Sequence, residues 1–452
     1  MHLAKAMVAL CLLASLPTRA DPTAPKTLSQ IVAEVLAHNP EVHAATARIE
    51  QAQAKLQEIN AAFFPKITAG VRYTHTNDPS RAFGFIVAQR RFDFSMDINR
   101  PGFVEDFRPE VEASWSLFRG GRDWYARQAA ELGLDALELQ KAELNNRLIA
   151  ATTQAFYALL EAPRRREVAD KTLATVGKEL KLMRARLREG TALKSDVLSL
   201  KVRLAQAREA RIRAENAKAS AHTALTTLLA LPSEAEIRIL EEVREPPASE
   251  GRFEDWLHQA QVLRPEWLAV QKQLAAREKE LKAAIGEHLP QVEAFVAYGM
   301  NSPNPRFATS RDNWTMGVKA SVDLFSGGAT DARVRQARQR LEEAKAAVEH
   351  ARLALEQEVR NAWLDLREAL ARVQVAKQAV AAAEEALKLV KSQYRSGTAT
   401  VTRFLEAETD AANARLQLIS ARFGALVAEA ELKRATGAWL ETLGLGQTDQ
   451  QK

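Results

Sequence analysis

Along "NWTMGVKASVDLF" (Asn313–Phe325) apolar and polar positions alternate. Trp314, Met316, Val318, Ala320, Val322 and Leu324 share one face, and Asn313, Thr315, Gly317, Lys319, Ser321 and Asp323 the other. The same period of two runs through Ile67, Ala69, Val71 and Tyr73, through Val111, Ala113, Trp115 and Leu117, and through Val292, Ala294, Val296 and Tyr298. It predicts four strands, over about 66–76, 109–118, 291–300 and 313–325. Strands of about ten residues with one apolar face have the dimensions of transmembrane β-strands. Trp115, Tyr298 and Trp314 are placed for an aromatic girdle.

After each strand pair the period lengthens. Val334, Ala337, Leu341, Ala344 and Val348 form a heptad-like stripe that resumes at Leu355, Val359, Ala362 and Leu366. Long helices are expected over about 122–189 and 329–396, each about 100 Å at ~1.5 Å per residue. Each copy also carries a short helix (41–62; 266–287) and a returning one (195–231; 402–437). Short plus returning roughly equals long, so the pair stacked end to end supplies an antiparallel neighbour for the long helix. Gly190 and Gly397 sit at the reversal, where a left-handed residue is wanted, and Ser195, Thr400 or Thr402 is placed to cap the returning helix.

The elements recur because the chain is written twice. "SLFRGGRD" (Ser116–Asp123) returns as "DLFSGGAT" (Asp323–Thr330), an offset of 207 that also relates Gly190-Thr191 to Gly397-Thr398. Upstream, Asn39-Pro40 pairs with Arg264-Pro265 and Pro65 with Pro290, at an offset of 225. The sequence therefore divides into a signal peptide (1–20), repeat 1 (21–231), a Pro- and Glu-rich linker (232–251), repeat 2 (252–437) and a tail (438–452). Pro65 and Pro290 end an incoming helix, and Gly120, Gly121, Gly327 and Gly328 let the chain pass from strand to long helix. Pro163, inside the first long helix, predicts a kink or break absent from the second copy.

Composition narrows the function. Residues 1–20 combine Lys5, the apolar run Ala6–Leu16 and a Thr18-Arg19-Ala20 cleavage site, which reads as export. The one cysteine, Cys11, lies inside that segment, so the mature chain has no disulfide or thiolate site. The net charge of +6 is spread over interleaved Lys, Arg, Glu and Asp, which reads as solvated helix faces and not as a nucleic-acid surface. The histidines show no metal-ligand spacing, and no phosphate loop or nucleophile–base signature occurs; neither an enzyme nor a cofactor is expected.

Four membrane strands leave two open edges, which lipid does not tolerate. Eight strands make a barrel filled by its own side chains and twelve leave a lumen, so three copies are the smallest conducting assembly. The doubled Leu-Phe-x-Gly-Gly, the doubled Gly-Thr ("REGTALKSDVLSL", "RSGTATVTRFLEAE"), Pro65 and Pro290, and "HNPEVHAATARIEQAQAKL" together resemble the TolC family of outer-membrane efflux proteins over essentially the whole mature chain. The resemblance implies an α+β membrane protein of two repeats: a homotrimeric, twelve-stranded barrel in outer-membrane lipid that continues into a periplasmic α-barrel. It implies an exit duct that meets a periplasmic adaptor and an inner-membrane pump. The alternatives are a duct for type I protein secretion and, in another class, a soluble periplasmic coiled-coil scaffold.

By the same resemblance the turns 188–198 and 395–405 are the tips. The adaptor-docking residues would be Gly190, Thr191, Ala192, Leu193, Asp196, Val197 and Leu198 in copy one, and Gly397, Thr398, Ala399, Thr400 and Val401 in copy two. Asp196, Arg403 and Glu406 would surround the periplasmic aperture. Ala399 and Arg403 depart from the family pattern, which has Arg and an acid there; a salt-bridged lock of Arg403 with Asp196 or Glu406 is the expectation. The outer loop of about 75–108, rich in Phe, reads as a variable surface loop.

Overall fold

The computed structural model describes residues 25–240 and 244–439. The signal peptide, Cys11 and nearly all of the tail lie outside the described residues.

The chain opens with α1 (Leu28–His38), started by a capping box in which Thr27 and Gln30 bond each other's backbone N–H. Asn39 ends it, and Pro40 starts α2 (Pro40–Asn60). A short 3-10 turn and Pro65 lead into β1 (Lys66–Thr76). After α3 (Pro79–Ala88) and β2 (Val104–Arg119) come the long α4 (Arg122–Arg188) and the returning α5 (Lys194–Leu228). The second copy repeats this as α6 (Phe253–Leu263), α7 (Pro265–Ile285), β3 (Gln291–Met300), β4 (Asp312–Ser321), α8 (Ala329–Arg395) and α9 (Val401–Thr436). Both long helices have 67 residues.

Packing sorts the chain into two compact units, and neither is a sequence repeat. Among the described residues, one gathers 25–39, 148–240, 244–250 and 366–430; the other gathers 40–147, 251–365 and 431–439. The repeat boundaries describe motifs, whereas burial mixes the copies. A 67-residue helix leaves a long stripe to cover, and in the first unit helices from both copies share one apolar cluster.

The sheet lies in the second unit. Its four strands are antiparallel in the order β1-β2-β3-β4. The first hairpin runs in register from Lys66↔Ser114 to Thr76↔Val104, and the second from Gln291↔Ser321 to Met300↔Asp312. β2 and β3 join the copies, with a bulge between Ser116 and Phe118. β1 and β4 are free edges. Ile67 and Val71 (69% exposed each), Trp314 (65%) and Val318 (67%) show how little covers the apolar faces of those strands.

Three sequence expectations need correction, and of the kink or break expected at Pro163 the break does not occur. β2 begins at Val104 and not near 109, because Phe107 exchanges backbone bonds with Ser302 and Val104 packs on α3 through Ala82 and Ile86. β4 ends at Ser321 and not at 325: the strand has no neighbour on its outer side, so residues 322–325 leave the ladder. α5 stops at Leu228, three residues before 231, where Ala230 turns left-handed (φ 55°). α4 is unbroken through Pro163. Proline deletes one N–H bond there, but Leu159, Leu160 and Ala162 are buried and a break would uncover them.

Candidate functional site

The tip lies in the first unit, and both turns are built alike. Gly190 (φ +71°) and Gly397 (φ +81°) take the left-handed conformation that reverses the chain. Thr191 then closes the end of α4 twice on one carbonyl: its N–H reaches Arg186 O at 2.9 Å and its hydroxyl at 3.1 Å. Thr398 does the same to Gln393 O, at 2.9 and 3.1 Å. This is the physical content of the doubled Gly-Thr: one residue supplies the conformation, the next satisfies an orphan carbonyl. Thr400 caps α9 by accepting from the Arg403 N–H at 3.2 Å, while neither Ser195 nor Thr402 is the cap of its helix.

Under the turns the copies share one apolar core. Val176, Leu180 and Met183 of α4, Val197 and Leu200 of α5, Val390 and Tyr394 of α8, and Val401, Phe404 and Leu405 of α9 form a single cluster, with Ala192 and Ala399 packed on it. Val197 and Val401 are therefore interior, because the first turn of each returning helix points its seam inward. Of the expected docking residues, Thr191, Leu193 (66% exposed), Leu198 (50%), Thr398 and Thr400 reach the surface beside the two glycines, among exposed Lys194, Ser195, Arg395 and Ser396.

Arg403 and Glu406 lie on one face of α9, with Nη1 and Oε2 3.3 Å apart and both side chains exposed. Asp196 is half-buried, and among the described residues no ion pair joins it to Arg403. Of the two partners expected for Arg403, Glu406 is the one it reaches within a single chain. What exists is an i,i+3 surface pair within one helix, worth only ~0.2–0.5 kcal/mol.

The junctions of strand and helix lie in the second unit. Gly120 and Gly121 (φ +64° and +75°) are matched by Gly327 and Gly328 (φ +64° and +80°). A Cβ on Gly120 would lie 2.0 Å from Gly286 O, so the chain crosses there backbone against backbone. Gly327 has no atom within 4 Å of that position. Pro65 and Pro290 each stand one residue before a strand, and Trp115 Nε1 donates to Phe63 O at 3.0 Å beside the first.

The residues that build this sheet, the glycine junctions and the long helices fall within a known family's pattern: the model for "Outer membrane efflux protein" aligns with residues 31–231 and 256–438. The chain belongs to that family. The efflux protein is 27% identical over 431 residues to protein CyaE of Bordetella pertussis, covering 93% of this chain and 87% of the relative. It is 24% identical over 370 residues to outer membrane efflux protein BepC of Brucella suis, covering 73% and 77%. The solved structure of VceC, an outer membrane protein of Vibrio cholerae, superposes with a TM-score of 0.78 at 20% identity, covering 91% of this chain and 96% of that one. The efflux protein is an exit duct of the outer membrane that extends into the periplasm.

Two tip residues escaped the sequence reading. Tyr394 is 8% exposed and stacks on Phe404 at 5.0 Å, yet its hydroxyl has no hydrogen-bond partner among the described residues. Burial pushes its pKa up, Glu179 and Asp196 add to the shift, and Arg186 opposes it. Glu408 is 5% exposed, and burial pushes its carboxyl up against the pull of Arg415, Lys391 and Arg203. Arg203 faces it with an unpartnered Nε, and burial lowers that guanidinium in turn. Both residues interrupt apolar seams: Tyr394 three residues before the turn glycine, Glu408 one turn after Phe404. A polar side chain at an apolar period was the available signal.

The second unit of the efflux protein holds a denser polar cluster. Arg264, at 4% side-chain exposure, donates to Ala435 O (3.3 Å) and Glu266 (2.7 Å) and pairs with Glu358. Glu358 also binds Arg434, which reaches Glu431 at 2.6 Å and whose carbonyl accepts from Asn146 Nδ2 at 2.8 Å. Burial works against the Glu358 carboxylate, but the bonds and charges of Arg434 and Arg264 hold it below its ordinary range. The cluster ties α4, α7, α8 and α9 together at one level.

Proposed function

We propose that three copies of the efflux protein close a twelve-stranded barrel in outer-membrane lipid and a periplasmic α-barrel beneath it. The complete duct passes small molecules or ions from an inner-membrane pump to the exterior. The observation that carries this reading is the sheet. It has four strands, exposed apolar faces and two unpaired edges, and a free edge in hydrocarbon leaves several kcal/mol per orphan backbone group. Only closure with further copies removes the edges, and twelve is the first strand number on this series with an open lumen.

The tip is the end that meets a periplasmic adaptor. Leu193 and Leu198, with Thr191, Thr398 and Thr400 around Gly190 and Gly397, form a small apolar and hydroxyl surface that a helical hairpin fits. Ala192 and Ala399 sit at its rim, and Val197 and Val401 support it from below. Asp196, Arg403 and Glu406 line the way inward.

Reconstitution tests the reading. The mature protein in mild detergent has the mass of three chains and forms single channels in planar bilayers. A monodisperse single chain, or an oligomer without conductance, refutes it. Deleting the gene raises sensitivity to toxic small molecules; loss of polypeptide export with unchanged sensitivity would instead favour a secretion duct.

A further inference from the structure

The internal repeat gives more than a count of strands, because it supplies a worked example of the seam between copies. In each copy the first strand follows the proline and the second leads to the paired glycines, with Leu117-Phe118 inside β2 and Leu324-Phe325 just after β4. Within one chain, the second strand of copy one (β2) pairs with the first strand of copy two (β3). The open edges are the second strand of copy two (β4) and the first strand of copy one (β1). These stand in the same order, one copy later.

The two offsets are structural and not only textual. Adding 225 to β1 and 207 to β2 turns the first hairpin's Lys66↔Ser114 and Ile67↔Ala113 into Gln291↔Ser321 and Val292↔Ala320, the pairs seen in the second hairpin. The offsets also turn the bond from Asn39 to Leu228 O into the bond from Arg264 to Ala435 O. Residue types follow as well: Ile67, Ala69, Val71 and Tyr73 become Val292, Ala294, Val296 and Tyr298.

We infer, resting on the closed-barrel reading above, that β4 pairs with β1 of a second copy in the register β2 and β3 already display. Val111↔Tyr298, Glu112↔Ala297 and Ser116↔Glu293 then become Val318↔Tyr73, Lys319↔Arg72 and Asp323↔Thr68. The bulge recurs at Leu324, and Phe325 meets Ile67 as Phe118 meets Val292. Residues 322–326 join the strand on assembly, which covers a Leu-Phe pair now 93% and 88% exposed, where the paired copy is 48% and 46% exposed.

Face parity supports this register. Val318, Ala320 and Val322 fall opposite Tyr73, Val71 and Ala69, and Lys319, Ser321 and Asp323 opposite Arg72, Gly70 and Thr68. A slip of one residue would turn every apolar side chain to the other face. Two features make this seam weaker than β2–β3. Lys319 falls beside Arg72, a like-charge pair relieved by Glu293 across the sheet from Lys319. The crossing of Gly120 on Gly286 becomes Gly327 on Ala61, whose Cβ holds the backbones further apart.

Cysteine pairs test the register, since facing residues of an antiparallel ladder lie within disulfide reach. On non-reducing gels of outer membranes, Arg72→Cys with Lys319→Cys and Thr68→Cys with Asp323→Cys give ladders of two and three chains. The slipped pairs Gly70→Cys with Lys319→Cys and Thr74→Cys with Lys319→Cys do not. Single-cysteine variants, sized in mild detergent, show that assembly survives. An oligomer that cross-links in a slipped register, or at neither matched pair, overturns this inference and leaves the duct intact. A parent protein that is a single chain in mild detergent removes the closed barrel itself.

Discussion

Asn39 and Arg264 occupy the same place in the two copies and answer the same demand with different chemistry. Each precedes the proline that starts the next helix, and each reaches a carbonyl at the end of the returning helix, Asn39 to Leu228 O at 3.0 Å and Arg264 to Ala435 O at 3.3 Å. The amide does only that. The guanidinium also pairs with Glu266 and Glu358, and through Glu358 it enters the Arg434 cluster. A repeat conserves the geometric task and frees the side chain for another. Copy one closes a helix end, whereas copy two closes one and knits four helices with charge. The glycine pairs differ in the same way, since Gly120 crosses backbone and Gly327 meets nothing among the described residues.

The largest effect expected from breaking this comparison is at the crossing. Gly120→Ala places a Cβ 2.0 Å from Gly286 O and abolishes folding, read as loss of the protein from outer membranes. Gly327→Ala carries only the left-handed backbone cost of about 1–2 kcal/mol within the chain, and its defect appears at assembly, read as a smaller detergent-stable mass. Next come the helix ends. Arg264→Ala removes a buried guanidinium together with its bonds to half-buried Glu358 and to Ala435 O and lowers stability by about 2–3 kcal/mol, while Asn39→Ala takes the amide partner from one carbonyl at about 1 kcal/mol. Urea melts of the two variants rank them; equal losses would mean that the ion cluster adds nothing.

Glu408 gives a smaller effect with a fixed sign. Burial raises its pKa in the fold despite the pull of Arg415, Lys391 and Arg203. The stability it contributes is therefore whole below the ordinary carboxylate pKa and is lost as pH rises through the elevated value. The Tm of the native protein minus that of Glu408→Gln falls as pH is raised across that window; a constant difference refutes the assignment. Smallest is Arg403→Ala, which removes an exposed pair and shifts stability by less than about 0.5 kcal/mol. Its readout is single-channel conductance, and an unchanged trace removes Arg403 from the aperture.

Much of the fold was legible because its signals are local. Alternation at Val292–Tyr298 marks β3, a 3–4 stripe marks α8, and a turn glycine followed by threonine marks each tip. What stayed hidden depends on distant partners. β4 stops at Ser321 although its alternation runs on to Leu324, because pairing needs a neighbour as well as a pattern. The outer loop, read as a variable surface loop, holds α3, whose Ala82 and Ile86 are buried against Val104. Its end is fastened by Gln89, which donates to Glu105 O and Asp106, and Asn301 holds that same aspartate from the other hairpin. At the tip, Val197 and Val401 look as available as Leu198 in sequence; only the shared core of four helices takes them out of reach.

Joining β2 to β3 has a consequence for biogenesis. The two strands are neighbours in the sheet, yet α4, α5, α6 and α7 are threaded between them in the chain. A nascent chain delivered amino end first exposes the Val104–Arg119 ribbon long before its mate at Gln291–Met300 emerges. Coiled helices can zip up from nearby contacts during that delay, whereas the sheet waits on a loop closure spanning more than a third of the polypeptide. Closure of the sheet is thereby postponed until α4 to α7 have been made, and a chain truncated before Gln291 is left with a ribbon fit for aggregation or a holdase.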